Sequence, residues 1–244
     1  MNKIPALIMA LAITLIVLTD TIFFDTQKEN KETVLVSKVI DGDTLKLADG
    51  RTIRLLNINS PEKDTNLSFL SIEYLKIFEN KTINMEITGQ DKYNRYLARI
   101  YTDYYINLEL VKQGLASIFM VEESELKLFS RAEEEAVKNS KGIWKKSEYA
   151  SCIKTEIDSD REIITISNSC TINLQHWQIK DESRKIFTFP NISQSIINLH
   201  SSQGENNKTD IYWNLKEPVW NNDRDTLYLF DEFGKLANHH SYGY

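Results

Sequence analysis

The chain has 244 residues, 41% of them hydrophobic, 26% charged and 10% aromatic, a balance that excludes a disordered or fibrous protein and leaves room for two modest domains or one large one. Its formal charge of −6 excludes nucleic-acid binding through a broad basic surface, which is built from many Lys and Arg contacts to phosphate. Any phosphate chemistry has to be local. Lys plus Arg against Asp plus Glu number 3 and 4 in residues 1–32, 17 and 17 in 33–146, and 9 and 14 in 147–244. The acidity therefore gathers in the C-terminal part, and the stretch Lys141-Gly142-Ile143-Trp144-Lys145-Lys146 marks a domain boundary.

Met1-Asn2-Lys3 precedes an uncharged apolar run from Ile4 to Leu18. As a helix it would reach roughly 22 Å, short of a ~30 Å hydrocarbon core. Residues 1–24 read as a signal peptide or N-terminal membrane anchor, with a polar linker over 25–32, and imply export to the extracellular space or the cell surface. No clear small-x-small cleavage site occurs in Thr19–Phe24, so release and membrane association through an uncleaved segment both stay open.

The first domain is expected over residues 33–146. Val34–Ile40 is β-branched and partly alternating and ends at the tight turn Asp41-Gly42-Asp43. Thr44–Leu47 and Thr52–Leu56 alternate on either side of Asp49-Gly50, a hairpin signal. A helix across Leu67–Phe78, strands at Thr82–Ile87 and Tyr96–Tyr101, and helices at Ile106–Gln113 and Glu123–Asn139 follow. In the last of these Leu126, Leu128, Phe129, Ala132 and Ala136 supply one buried face. Five strands interleaved with helices predict a small barrel.

The placement of charge suggests chemistry. Asp41 and Asp43 flank Gly42 at a strand end, where a sharp turn aims carboxylate oxygens at one point, as a hard divalent cation needs. Arg54 lies in an otherwise apolar strand and requires an anionic partner. Asn59-Ser60-Pro61-Glu62 adds an amide oxygen, a fixed bend and a further carboxylate, and Arg95 arrives from a separate loop. Each feature alone is more often structural than functional. Together they describe a phosphodiester site: guanidinium groups and a cation to neutralise phosphate, and a carboxylate to activate water.

Residues 33–146 resemble the staphylococcal nuclease, or thermonuclease, family. The resemblance rests on Val39-Ile40-Asp41-Gly42-Asp43-Thr44, on Arg54–Glu62, on Asp91-Lys92-Tyr93-Asn94-Arg95-Tyr96-Leu97-Ala98, on Leu110–Ala116 and on Gly142-Ile143-Trp144. It implies a five-stranded OB-fold barrel with three helices and a calcium-dependent nuclease acting on DNA and RNA with little sequence preference, leaving 3′-phosphate ends. Carried over by position, Asp43 would ligate Ca²⁺ directly, Ser60 through its backbone carbonyl, and Asp41 would sit in or near the outer sphere. Glu62 would orient or deprotonate the attacking water, and Arg54 and Arg95 would grip the phosphate. Tyr93 and Lys92 would line the nucleotide pocket. The family's second calcium-binding aspartate is Asn59 here, which implies a raised calcium requirement. The stretch Ser117-Ile118-Phe119-Met120-Val121-Glu122 also departs from the family's tyrosine-rich pocket segment.

From about Ser151 the pattern changes to short alternating runs: Cys152–Ile157, Glu162–Ser167, Ile172–Lys180, Ile186–Phe189, Ile196–Leu199, Asp210–Asn214 and Thr226–Phe230. They predict a β-sandwich over 150–244 with Trp177, Ile179, Phe187, Phe189, Pro190, Trp213, Val219, Trp220, Leu227 and Leu229 in or near its core. Cys152 and Cys170 stand at the open end of an expected hairpin, where oxidation after export would join them as a disulfide. His239 and His240 read as part of a solvated tail.

This stretch resembles a lamin-tail domain, an immunoglobulin-like module. The matching residues include Trp177-Gln178-Ile179-Lys180-Asp181, Phe187-Thr188-Phe189-Pro190, Ile211-Tyr212-Trp213, Pro218-Val219-Trp220-Asn221-Asn222 and Asp225–Asp231 before Gly234. The resemblance implies a binding or tethering module of unknown ligand. On this reading cleavage survives removal of residues 147–244, and the rival reading is a weak or inactive nucleic-acid-binding or surface scaffold protein.

Overall fold

The computed structural model describes residues 31–61, 67–183 and 185–243. The expected leader and residues 62–66, Glu62 among them, lie outside the described residues. Five strands close a barrel in the order β1-β2-β3-β6-β5, where β1 is Lys31–Asp41, β2 Thr44–Leu47, β3 Thr52–Leu55, β5 Thr82–Gln90 and β6 Tyr96–Tyr101. The strand β1 begins at Lys31, inside the stretch expected to be linker. Its length closes the barrel: Lys31–Leu35 pairs with β5 while Val36–Asp41 pairs with β2, with a register shift on each side of Lys38–Val39. Inward residues such as Val36, Leu45, Ile53, Leu55, Met85 and Ile100 are at most 1% exposed, so the interior is filled by side chains.

Among the described residues three helices cover the barrel: α1 (Ser68–Lys76), α2 (Ile106–Lys112) and α3 (Leu126–Lys138). The buried face of α3 is Leu126, Phe129, Ala132, Glu133 and Ala136. Leu128, expected on that face, is 48% exposed; two positions past the buried Leu126, about 200° round the helix, it falls on the outer side. The carboxylate of Glu133 takes a place in the buried face instead. Two short strands went unforeseen, β4 (Ile58–Asn59) and β7 (Ser117–Ile118), which pair antiparallel. Gly114 and Gly142 meet backbone to backbone, with Ile143 N donating to Gly114 O at 2.8 Å; a Cβ on Gly142 would fall 2.1 Å from that oxygen. The contact seats the 3₁₀ turn Gly142–Trp144.

Beyond it lie two four-stranded sheets, β13-β12-β9-β8 and β11-β10-β14-β15. In chain order these strands are β8 Ile153–Asp158, β9 Ile163–Asn168, β10 Gln178–Lys180, β11 Ile186–Thr188, β12 Ile196–His200, β13 Asp210–Tyr212, β14 Asp225–Phe230 and β15 Leu236–Tyr242. The sheets share one core in which Trp177, Ile179, Phe189, Val219, Trp220, Leu227 and Leu229 are buried, with Phe187 and Trp213 at its edge. Pro190 is exposed. A disulfide joins Cys152 to Cys170 across the open end of the β8–β9 hairpin.

Two further expectations fail in this region. Of Ile172–Lys180 only the last three residues are strand, because the Leu174–Trp177 turn and the left-handed His176 break the run. The supposed tail holding His239 and His240 is β15, paired along its length with β14.

The two halves are not strung on a free linker. Leu236 N donates to Lys145 O and Ser147 N to Leu236 O, so the connecting chain runs parallel beside β15. Ala136, Ile143 and Trp144 of the first half pack with Tyr228 and Leu236 of the second in one buried cluster.

Candidate active site

The β2–β3 register sets Thr44 opposite Arg54, and the parallel β3–β6 register sets Arg54 opposite Leu97, two residues beyond Arg95. Asp43, Arg54 and Arg95 are thereby brought to one end of the barrel. The turn into β2 is tight because Gly42 has no side chain: a Cβ there would lie 2.1 Å from Ser71 Oγ of α1 and 2.7 Å from Ser60.

Asp43 is the hub. Its Oδ2 accepts from Ser60 N at 2.9 Å and from Ser60 Oγ at 3.0 Å, and lies 3.1 Å from Arg54 Nη2. Its Oδ1 accepts from Thr44 Oγ1 at 3.1 Å. Asp41 Oδ1 accepts from the Asp43 amide at 3.1 Å. Burial, and then the neighbouring Asp43 charge, raise the Asp41 carboxyl above its ordinary range.

Arg54 is buried and also donates to Leu55 O and Ile58 O, so its guanidinium is clamped between β3 and β4. Arg95 is held by Asp91, which receives Nε at 2.7 Å and caps its own loop by accepting from the amides of Tyr93 and Arg95. Burial pushes the Asp91 carboxyl up, but these bonds from Arg95 and Tyr93 outweigh it and leave the group below its usual range. Arg95 Nη1 reaches Thr44 Oγ1 at 3.5 Å, so one hydroxyl connects the two guanidinium groups through Asp43.

Tyr93 is 67% exposed, its ring beside both Arg95 and Lys92. Asn59 is buried in β4 and borders, with Pro61, Trp144 and Tyr228, a cavity of about 500 Å³ between the two halves of the chain.

Sequence reasoning singled out Asp41, Asp43, Arg54, Asn59, Ser60 and Arg95; hydrogen bonds and the ion pair link Asp41, Asp43, Arg54 and Ser60 and, through Thr44, Arg95, whereas Asn59 precedes Ser60 in β4 and borders the cavity between the two halves, and Glu62 lies outside the described residues. It missed the supports. Thr44 and Asp91 adjoin residues already chosen. Arg99 pairs with Glu86, Glu122 and Glu125 and ties the segment after β7 to β6. Burial lowers the Arg99 pKa, but the carboxylates, Glu125 first, more than reverse this and raise it. Asn107 bridges β6 to the end of β3, donating to Leu56 O and Ala98 O and accepting from Ile100 N. A single polar residue set between apolar neighbours was the available signal for both Arg99 and Asn107.

The family described as Staphylococcal nuclease homologue matches residues 52–146. An uncharacterized endonuclease of Haemophilus influenzae is 35% identical over 120 residues, 47% of this chain and 67% of its own. A thermonuclease of Staphylococcus intermedius is 30% identical over 168 residues, 60% of this chain and all of its own. The chain belongs to the staphylococcal nuclease family. Endonuclease YhcR of Bacillus subtilis is 30% identical over 139 residues, 47% of this chain but 11% of its own. The protein is a nuclease, a phosphodiesterase with nucleic acid as substrate.

Among the described residues no group of three or more His, Cys, Asp or Glu could hold a metal ion. The oxygen donors that the sequence offers are the carboxylates of Asp41 and Asp43, the Asn59 amide and the Ser60 carbonyl, and of these residues Asp41, Asp43 and Ser60 are hydrogen-bonded to one another. In kind they suit a hard cation such as Ca²⁺. Asp43 Oδ2 already serves Ser60 N, Ser60 Oγ and Arg54, whereas Oδ1 accepts from Thr44 Oγ1 and carries a second lone pair suited to a cation.

Proposed function

We propose that the protein is an exported, calcium-dependent nuclease that hydrolyses DNA and RNA with little sequence preference and leaves 3′-phosphate ends. The observation that supports it most is the junction of Arg54 and Arg95 through Thr44 and Asp43 at a single barrel end. Ca²⁺, held by Asp43, Asn59 and the Ser60 carbonyl with Asp41 nearby, would supply positive charge against the phosphate. Arg54, fixed by two backbone carbonyls, presents its cation to the non-bridging oxygens without reorganising. Glu62 takes a proton from water as the water oxygen bonds to phosphorus. The bond from phosphorus to the 5′ oxygen breaks, and the leaving 5′ oxygen acquires a proton, with Arg95 offsetting its developing charge. Tyr93 and Lys92 flank the nucleotide.

The C-terminal unit is read as a lamin-tail-type binding or tethering module, a reading supported by its two packed four-stranded sheets and buried tryptophans. The N-terminal apolar run supports export, with release or membrane anchoring as its two outcomes.

Digestion of single- and double-stranded DNA and of RNA across a calcium series, with end-group analysis and with Glu62→Gln and Arg54→Ala as controls, tests the reading. Calcium-stimulated cleavage to 3′-phosphate ends, lost in both variants, is expected. Cleavage indifferent to calcium, or products with 5′-phosphate ends, would overturn it.

A further inference from the structure

Glu133 is 2% exposed on the barrel-facing side of α3. A buried carboxylate there needs partners, and it draws them from both halves of the chain. Within the nuclease half Glu133 Oε1 accepts from Ile118 N at 2.9 Å. From the C-terminal half the Tyr228 hydroxyl reaches its two oxygens at 3.4 and 3.3 Å, and His239 Nε2 lies 3.8 Å from Oε2. Tyr228 is 1% exposed, its ring stacked on Trp144 at 5.3 Å. Burial raises the Tyr228 phenol well above its ordinary range, so it keeps its proton and donates.

What Glu133 holds bears on the site. Ile118 lies in β7, whose only partner strand among the described residues is β4; Ile118 faces Ile58, and Ser117 faces Asn59 and donates through Oγ to Asn59 O at 3.3 Å. Ile58 O also receives Arg54 Nη2 at 2.8 Å. A two-residue ladder is too short to fix itself. Its placement depends on outside anchors, and Glu133 is one of them.

We infer that Tyr228, seconded by His239, is a positioning residue for the nuclease site, acting from the C-terminal unit through Glu133 and β7 on the β4 strand that bears Asn59 and leads to Ser60. The C-terminal unit is then a working part of the nuclease. The inference rests on the proposed assignment of Asn59 and Ser60 to the cation site.

The test is Tyr228→Phe in the full chain, which keeps the ring stacked on Trp144 and removes only the hydroxyl, with His239→Gln as a second variant. Amide hydrogen exchange at Ile118 should speed up roughly five-fold or more. The calcium concentration for half-maximal cleavage should rise several-fold while KM for DNA stays within about two-fold. Exchange at Leu45 and Ile53, deep in the barrel, should be unchanged. Wild-type exchange at Ile118 in both variants would overturn the brace whether or not the protein cleaves nucleic acid. Faster exchange at Ile118 with no change in the calcium requirement would overturn the link to the site. Failure of the wild type itself to respond to calcium would instead count against the proposed cation site, and exchange at Ile118 would still decide the brace.

Discussion

Arg54 and Asp43 form an ion pair at 3.1 Å in which each side chain is only 6% exposed. Removing one member of such a pair strands the other charge away from water, a loss of about 3–5 kcal/mol. Asp43→Ala should therefore lower the melting temperature by many degrees as well as abolish cleavage. Asp43→Asn, which keeps an acceptor for Ser60 and Thr44, should lose cleavage with a smaller thermal penalty. Calorimetry beside a cleavage assay separates the two effects; equal melting temperatures for wild type and Asp43→Ala would contradict the buried pairing.

Arg95 is different in kind. Its side chain is 30% exposed and leans on Asp91 within one loop, so its ion pair contributes little to stability. Arg95→Ala should cost about 10²–10³ in kcat and change unfolding free energy by less than about 1 kcal/mol. A large loss of stability at intact activity would reverse that division of labour.

Asn59 is 3% exposed, so Asn59→Asp introduces a buried charge that only a cation can offset. The variant should be less stable than wild type without calcium, gain more thermal stability on calcium addition, and reach half-maximal cleavage at lower calcium. Melting curves with and without calcium supply the first two comparisons. An unchanged calcium response would remove Asn59 from the ligand set.

Glu182 sits where the two halves meet, accepting from Met120 N. Burial, aided by the charges of Asp225 and Glu133 and opposed by the Met120 amide and Arg224, pushes its carboxyl up to about 7. Because the folded value exceeds the unfolded one, the folded protein holds the extra proton between them, and stability falls as pH rises from about 4.5 to about 7. Glu182→Gln should flatten this part of the curve of melting temperature against pH. A slope identical to wild type would show that Glu182 titrates normally.

Cys152 and Cys170 are 18 residues apart and bonded. Closing a loop of that size stabilises a fold by roughly 3 kcal/mol through the unfolded state. Replacing both by Ala should lower the unfolding midpoint of the C-terminal unit in denaturant, and reductant should do the same to the wild type but not to the double variant.

The parts of this molecule that were legible in its sequence are those fixed by neighbours along the chain. The Asp41-Gly42-Asp43 turn, the Asp49-Gly50 hairpin and the alternating strands announce themselves within a few residues. The need of Arg54 for an anion was also readable from its strand, and Asp43 meets it. Illegible were features decided at long range. The ladder of β4 and β7 is two residues deep, too little to leave a pattern. The polar run Asn238-His239-His240-Ser241 has no strand-like composition; it is strand because β14 lies beside it. Glu133 reads as an ordinary exposed helix residue, and only Ile118, 15 positions earlier, and Tyr228, 95 positions later, explain why it faces inward.

The strand β15 has an implication for when the enzyme becomes competent. It holds the connecting chain at Lys145 and Ser147, and it brings His239 to Glu133. During synthesis the barrel emerges long before residues 236–242 exist. If the brace on β4 is needed for full cleavage, a nascent chain carries a finished barrel that is still a poor nuclease, and full activity arrives only once the distant strand has docked.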